Sequence, residues 1–123
     1  MRFPLQSGLL VLALAAPAHA ADAAKGERLF AGCKACHTLD KGGPQIAGGP
    51  NLHGFFGRPA AQAQGYAYTP ALRNAGIVWN DETLAKFIAD PKGTVPGTRM
   101  IYPGMRKAED RQDLIAFLKQ ATK

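Results

Sequence analysis

Hydrophobic positions recur with a helical period in three stretches of this 123-residue chain and lose all period between them. Leu114, Phe117, Leu118 and Ala121 fall at i, i+3, i+4 and i+7, which predicts a helix over about 108–121 with one apolar stripe. Leu84, Phe87 and Ile88 are spaced to face inward in the same way. Asn80 as cap, acidic Asp81 and Glu82 in the first turn and Pro91 as a stop set that helix at 81–89. Asp22 caps another over about 23–31, with Leu29 and Phe30 on its inner side and Gly32 closing it. A shorter piece fits 70–74, ended by Ala75-Gly76. From Leu39 to Gly65 neither helical nor strand period survives, and Gly42-Gly43-Pro44, Gly48-Gly49-Pro50-Asn51 and Gly57-Arg58-Pro59 mark turns. Residues 92–104 are irregular too. The expected fold is all-α, with three to four short helices and almost no strand. Loops this long in a small domain usually wrap something.

One apolar run differs in kind. Leu9 to Ala16 follows the positive Arg2 and is broken by Pro17 before Ala18-His19-Ala20, a small-x-small site. That pattern predicts a cleaved signal peptide at residues 1–20 and a functional domain at 21–123. The run is too short to span a bilayer, so an integral membrane protein is not expected. Export implies a bacterial periplasm, an oxidising compartment for the two cysteines. The 14 glycines and 9 prolines are about one residue in five, against a usual combined share of about 12%, and they reinforce the loop-rich reading. A net charge of +6 favours acidic partners. No basic helix face interleaves with aromatics, which argues against nucleic acid. No Ser/His/Asp set, paired-carboxylate cleft or phosphate loop offers a catalytic constellation, so no enzyme activity is expected. A monomer is the expected state.

Both cysteines lie in Cys33-Lys34-Ala35-Cys36-His37. This C-x-x-C-H spacing is the attachment pattern for a c-type haem. Two thiols one helical turn apart can each add across a haem vinyl group, and the adjacent imidazole is placed to ligate the iron. A disulfide across two residues would be strained and close almost no loop. A thioredoxin-like pair needs a βαβ context that is missing. A zinc site would have only His53 as a fourth ligand. Haem is the reading that uses every cysteine of an exported, loop-rich chain.

If His37 takes one axial position, the other has Met100, Met105, His53 or a lysine as candidates. A thioether raises the reduction potential, while a second histidine lowers it. Met100 lies in the irregular Pro96-Gly97-Thr98-Arg99-Met100 stretch, where a loop can cross the haem. Met105 sits at the threshold of the last helix and suits a core gap equally well. Chemistry and spacing favour Met100. His53 reads as a surface or hydrogen-bonding histidine.

Beyond these local readings, four segments in order resemble class I c-type cytochromes of the mitochondrial cytochrome c and bacterial cytochrome c2 type. They are Cys33-Lys34-Ala35-Cys36-His37-Thr38, Gly49-Pro50-Asn51-Leu52-His53-Gly54-Phe55-Phe56-Gly57-Arg58, Pro96-Gly97-Thr98-Arg99-Met100 and Asp113-Leu114-Ile115-Ala116-Phe117-Leu118-Lys119. The resemblance implies the small cytochrome c fold around one covalent haem c. It implies thioether links at Cys33 and Cys36, with His37 and Met100 as axial ligands. The Pro50 carbonyl would accept the His37 imidazole proton. Arg58, Tyr68 and Trp79 match positions near the haem propionates. Gly26 and Phe30 match positions that cross the last helix at Leu114 and Phe117. Two departures stand out. Phe87 replaces a usual tyrosine and Leu72 an asparagine, both on the Met100 side, which predicts an unusually apolar pocket there.

Lys34, Lys41, Lys92, Arg99, Arg106 and Lys107 come from segments expected near the haem edge. As a ring they would steer the protein to an acidic docking site. The function implied is a one-electron carrier serving a quinol–cytochrome c reductase, a terminal oxidase, a photosynthetic reaction centre or a periplasmic dehydrogenase. The competing class is a haem enzyme or gas-binding protein with a labile distal ligand. Met100 separates the two.

Overall fold

The computed structural model describes residues 20–46 and 48–123, together with residues 1, 12 and 13. The signal segment expected at 1–20 therefore lies almost wholly outside the described residues. The elements run α1 (Ala23–Leu29), a 3-10 turn (Phe30–Gly32), α2 (Pro70–Arg73), α3 (Asp81–Ala89), α4 (Pro91–Thr94) and α5 (Ala108–Ala121). Among the described residues extended pairing is limited to isolated bridges, Ile46 with Gly49 and Pro59 with Val78. None of the described helices is long and apolar enough to cross a membrane.

The caps read from the sequence are in place. The Asp22 carboxylate accepts the Lys25 N–H, and Asn80 and Thr83 exchange hydrogen bonds at the start of α3. Thr69 accepts the Leu72 N–H ahead of Pro70, which supplies a preset φ to the first turn of α2. The expected end of the first helix shifts, because α1 tightens to 3-10 geometry at Phe30 before Gly32. A fifth helix also forms where an irregular stretch was expected. Pro91 does end α3, but it then stands at the first position of α4, with the Asp90 side chain accepting the Gly93 N–H at 3.0 Å. A proline that terminates one helix is equally suited to begin the next.

Helices α1 and α5 cross at Gly26. A Cβ there would lie 2.0 Å from the Asp113 carbonyl oxygen and 2.8 Å from Phe117 Cβ, so only glycine lets the two backbones approach this closely. The Phe30 and Phe117 rings pack with centroids 5.7 Å apart. The Asp22 N–H donates to the fully buried Asp113 carboxylate at 2.7 Å, and Lys25 Nζ reaches Asp110 at 2.9 Å. Around this crossing Phe30, Leu84, Ile88, Leu114, Ile115 and Leu118 form the buried core. Most of these side chains also wall a cavity. The core is thus one-sided: helices close it from behind, and loops 37–69 and 97–105 face it from the front.

Candidate functional site

Helix α1 delivers the cysteine motif directly. After the 3-10 turn the backbone makes one more helical turn, with the Cys36 and His37 N–H groups both donating to the Cys33 carbonyl at 3.1 and 3.0 Å. Cys33 and Cys36 are therefore one turn apart, and both thiols are free and half-buried. Cys33 lines the cavity, where burial first and the neighbouring Cys36 second push its thiol above the ordinary range. The Cys36 sulfur faces the glycine pair of the next loop: a Cβ on Gly48 would lie 2.6 Å from it.

His37 follows on the cavity wall. Its Nδ1 lies 2.7 Å from the Pro50 carbonyl oxygen, which fixes the tautomer with Nδ1–H as donor and leaves Nε2 as the available lone pair. Desolvation lowers the imidazole pKa and outweighs the opposing effect of the Pro50 carbonyl. A neutral ring with one bare nitrogen is what a metal ligand requires. Gly49 keeps this geometry open, since a Cβ there would stand 2.7 Å from His37 Cε1 and 3.0 Å from Nδ1. Pro50 itself is held by its neighbour. Asn51 donates through Nδ2 to Thr38 Oγ1 at 2.7 Å and to the Asp40 carbonyl at 2.9 Å.

A cavity opens between these helices and loops, with about 1290 Å³ of empty space when its open mouth is included. Its walls are mainly apolar. The helical segments supply Phe30, Leu72, Leu84, Phe87, Ile88, Leu114 and Leu118 to these walls, and the loops supply Leu52 and Met100. Met100 lines the cavity; Met105 instead packs against the core cluster, and its N–H donates to the Ile88 carbonyl at 2.9 Å. Phe87 is only 7% exposed and lies 5.3 Å from the Trp79 ring, and Leu72, Phe87 and Met100 all line this one cavity. Arg58, Tyr68 and Trp79 all line the cavity, with the Tyr68 hydroxyl accepting the Ala63 N–H at 3.0 Å. His53 lines it as well, half-buried rather than fully at the surface. The six basic residues picked out for a docking ring are all exposed, although the Arg99 guanidinium is engaged by Tyr66.

Two contributors were missed by sequence reasoning. Gln45 uses both ends of its amide: Oε1 accepts the Asn51 N–H at 2.8 Å, and Nε2 donates to the Gln64 carbonyl at 2.9 Å. It ties the stretch around Pro50 to the Gln64 stretch of the same long loop. Arg99 joins the Met100 segment to Tyr66 and Ala67. Neither tie has a local pattern, because each spans loops without period.

A deep apolar cleft, two free thiols one turn apart and a neutral imidazole at its edge together fit a large, flat, covalently held macrocycle. They define the class as a haem protein of the c type. The comparisons then give the family. The cytochrome c family pattern matches residues 23–122. A cytochrome c2 from Blastochloris viridis is 45% identical over 114 residues, covering 92% of this chain and 89% of the relative. A cytochrome c from Theileria parva is 48% identical over 102 residues, covering 82% and 87%. The solved structure of cytochrome cH from Methylobacterium extorquens superposes with a TM-score of 0.74 at 44% identity, covering 80% of this chain and 98% of that one. This chain belongs to the cytochrome c family, and its fold is the small all-α cytochrome c fold. Its cofactor is one haem c attached through Cys33 and Cys36, and its function is that of a haem-containing electron carrier.

Proposed function

We propose that the protein is a soluble one-electron carrier in which His37 and Met100 are the axial ligands, shuttling electrons between periplasmic or membrane-bound redox complexes. The observation that carries this reading is the placement of His37 and Met100 on the walls of one cavity, with His37 Nδ1 already committed to Pro50. The haem supplies a one-electron couple at its iron. The protein's residues do the rest. Pro50 orients the imidazole, the apolar wall excludes water, and Met100 offers a soft donor that favours the reduced state. A site capped on both faces changes little on electron transfer and turns small molecules away, which is the behaviour of a carrier rather than of an enzyme.

The proposed location is the periplasm, with residues 1–20 removed as a signal and residues 21–123 forming the mature domain. The proposed partners present acidic docking sites, as on a quinol–cytochrome c reductase, a terminal oxidase, a reaction centre or a periplasmic dehydrogenase. Exposed Lys34, Lys41, Lys92, Arg106 and Lys107 support that choice.

Visible spectra of the oxidised, reduced and carbon monoxide-treated reduced protein test the ligation. Sharp reduced bands insensitive to carbon monoxide are expected. Met100→Ala is expected to create a carbon monoxide-binding form, whereas Met105→Ala lowers stability by about 2–3 kcal/mol through lost packing and leaves the spectra unchanged. A carbon monoxide shift in the parent protein would replace the carrier reading with a ligand-binding or catalytic one.

A further inference from the structure

The segment carrying Met100 hangs between two fixed points. At one end the Thr98 N–H donates to the Val95 carbonyl at 3.0 Å, just after Gly97 at φ +89°. At the other, Gly104 at φ +116° packs so tightly that a Cβ would lie 2.3 Å from the Ala89 carbonyl oxygen, and Met105 is bonded to Ile88. Both glycines occupy the left-handed region, where other residues are strained. Between these points the backbone is irregular. Among the described residues, the hydrogen bonds that tie this stretch to the 66–68 loop come from Arg99.

That side chain makes a compound contact. Arg99 Nη2 donates to the Tyr66 hydroxyl at 3.3 Å and to the Ala67 carbonyl, while the guanidinium carbon lies 5.6 Å from the centre of the Tyr66 ring. The receiving wall is itself braced. Tyr66 packs edge-on to Tyr68 at 4.9 Å, and the Tyr68 hydroxyl holds the Ala63 N–H. Arg99 and Met100 are consecutive, so anchoring the first fixes the backbone from which the second reaches into the cavity.

We propose that Arg99 is a positioning residue: it straps the Met100 segment to the 66–68 loop and so governs how often the methionine side of the haem opens. This rests on Met100 being the sixth ligand. A lysine could not substitute fully, because a point charge lacks the planar fork that bonds and stacks at once. The same engagement withdraws Arg99 from the ring of free docking charges. Its removal should therefore alter ligand exchange more than partner attraction.

The test uses the haem-loaded protein and its Arg99→Ala, Arg99→Lys and Tyr66→Phe variants. Three quantities are read: the rate of imidazole binding to the ferric form, the methionine-to-ferric-iron charge-transfer band, and the denaturant midpoint. Arg99→Ala is expected to raise the imidazole rate about tenfold, in keeping with the loss of a charge-assisted hydrogen bond and a stacking contact near the surface. The band should weaken while the unfolding midpoint moves little. Arg99→Lys should lie between, and Tyr66→Phe, which keeps the ring, closer to the parent. An unchanged rate and band in Arg99→Ala would overturn the strap. A rate that rises only in proportion to lost global stability would overturn it too. Should Arg99→Ala fail to accumulate, Arg99→Lys and Tyr66→Phe decide by the same criteria. Met100→Ala is measured beside them: if it leaves the parent spectrum unaltered, the ligand assignment itself falls, an outcome distinct from failure of the strap.

Discussion

Replacing Gly49 by alanine tests whether the loop carrying Pro50 is built around His37. Gly49 is buried and does not occupy the left-handed region, so alanine meets no backbone penalty and the effect is purely steric. The added Cβ would stand 2.7 Å from the Cys36 carbonyl oxygen, 2.7 Å from His37 Cε1 and 3.0 Å from Nδ1. Ordinary contact begins near 3.4 Å, so the ring or the loop must move by several tenths of an ångström. The His37 to Pro50 bond at 2.7 Å joins the same two parts and is lengthened by either movement. Overpacking costs about 1–3 kcal/mol and a weakened hydrogen bond about 1 kcal/mol, for a total of about 2–4 kcal/mol. In a domain of this size that lowers the melting midpoint by roughly 10–20 °C. The assay is guanidinium and thermal unfolding of the haem-loaded protein, followed by Trp79 fluorescence and haem absorbance. Gly32→Ala is the control: a Cβ there meets nothing within 4 Å, and its effect should stay within about 0.5 kcal/mol. Gly49→Ala matching that control, with an unshifted haem spectrum, would refute the argument.

Two further substitutions probe the loops. Phe87→Tyr adds a hydroxyl to the cavity that Met100 also lines; if it donates to a thioether bound at the iron, as proposed above, the less available sulfur lone pair favours ferrous over ferric iron. The potential should rise by roughly 20–65 mV for a bond of about 0.5–1.5 kcal/mol, measured by voltammetry, and unchanged potential and ligand exchange would reject the apolar-pocket reading. Gln45→Ala removes the bonds to Asn51 and Gln64 and should cost about 1–2 kcal/mol in denaturant unfolding without altering the spectra. Gln45→Glu retains the acceptor for Asn51 and should lose about half as much.

The parts legible in the sequence were those whose physics is local. Caps at Asp22 and Asn80, the stripe from Leu114 to Ala121 and the C-x-x-C-H turn each depend on residues within a few positions, and each stands where it was expected. The crossing of Gly26 and Phe30 with α5 came from family resemblance, not from periodicity, because nothing local marks which helices meet. Helix α4 was hidden because a proline carries one meaning as a stop and another as a start. Met100 and Met105 differ by five positions, and chemistry and spacing favoured Met100 only by its irregular surroundings; tertiary placement puts Met100 on the cavity and packs Met105 against the core. The ties made by Gln45 and Arg99 span 19 and 33 residues between loops, beyond the range of any sequence period.

The pairing of α1 with α5 also constrains when the protein can come together. Asp22 and Asp113 are 91 positions apart yet share a hydrogen bond, and Gly26 has no partner until the last helix exists. A chain made from its N-terminus therefore presents Cys33 and Cys36 long before the helix against which α1 packs. Helix α1 alone has 7 residues, below the roughly 12–15 needed for an isolated helix to hold in water. During that interval the thiols belong to an open, pliable segment. The last helix thus fixes in place the segment that leads into the two thiols, and the order of synthesis leaves that segment unbraced until the chain is nearly complete.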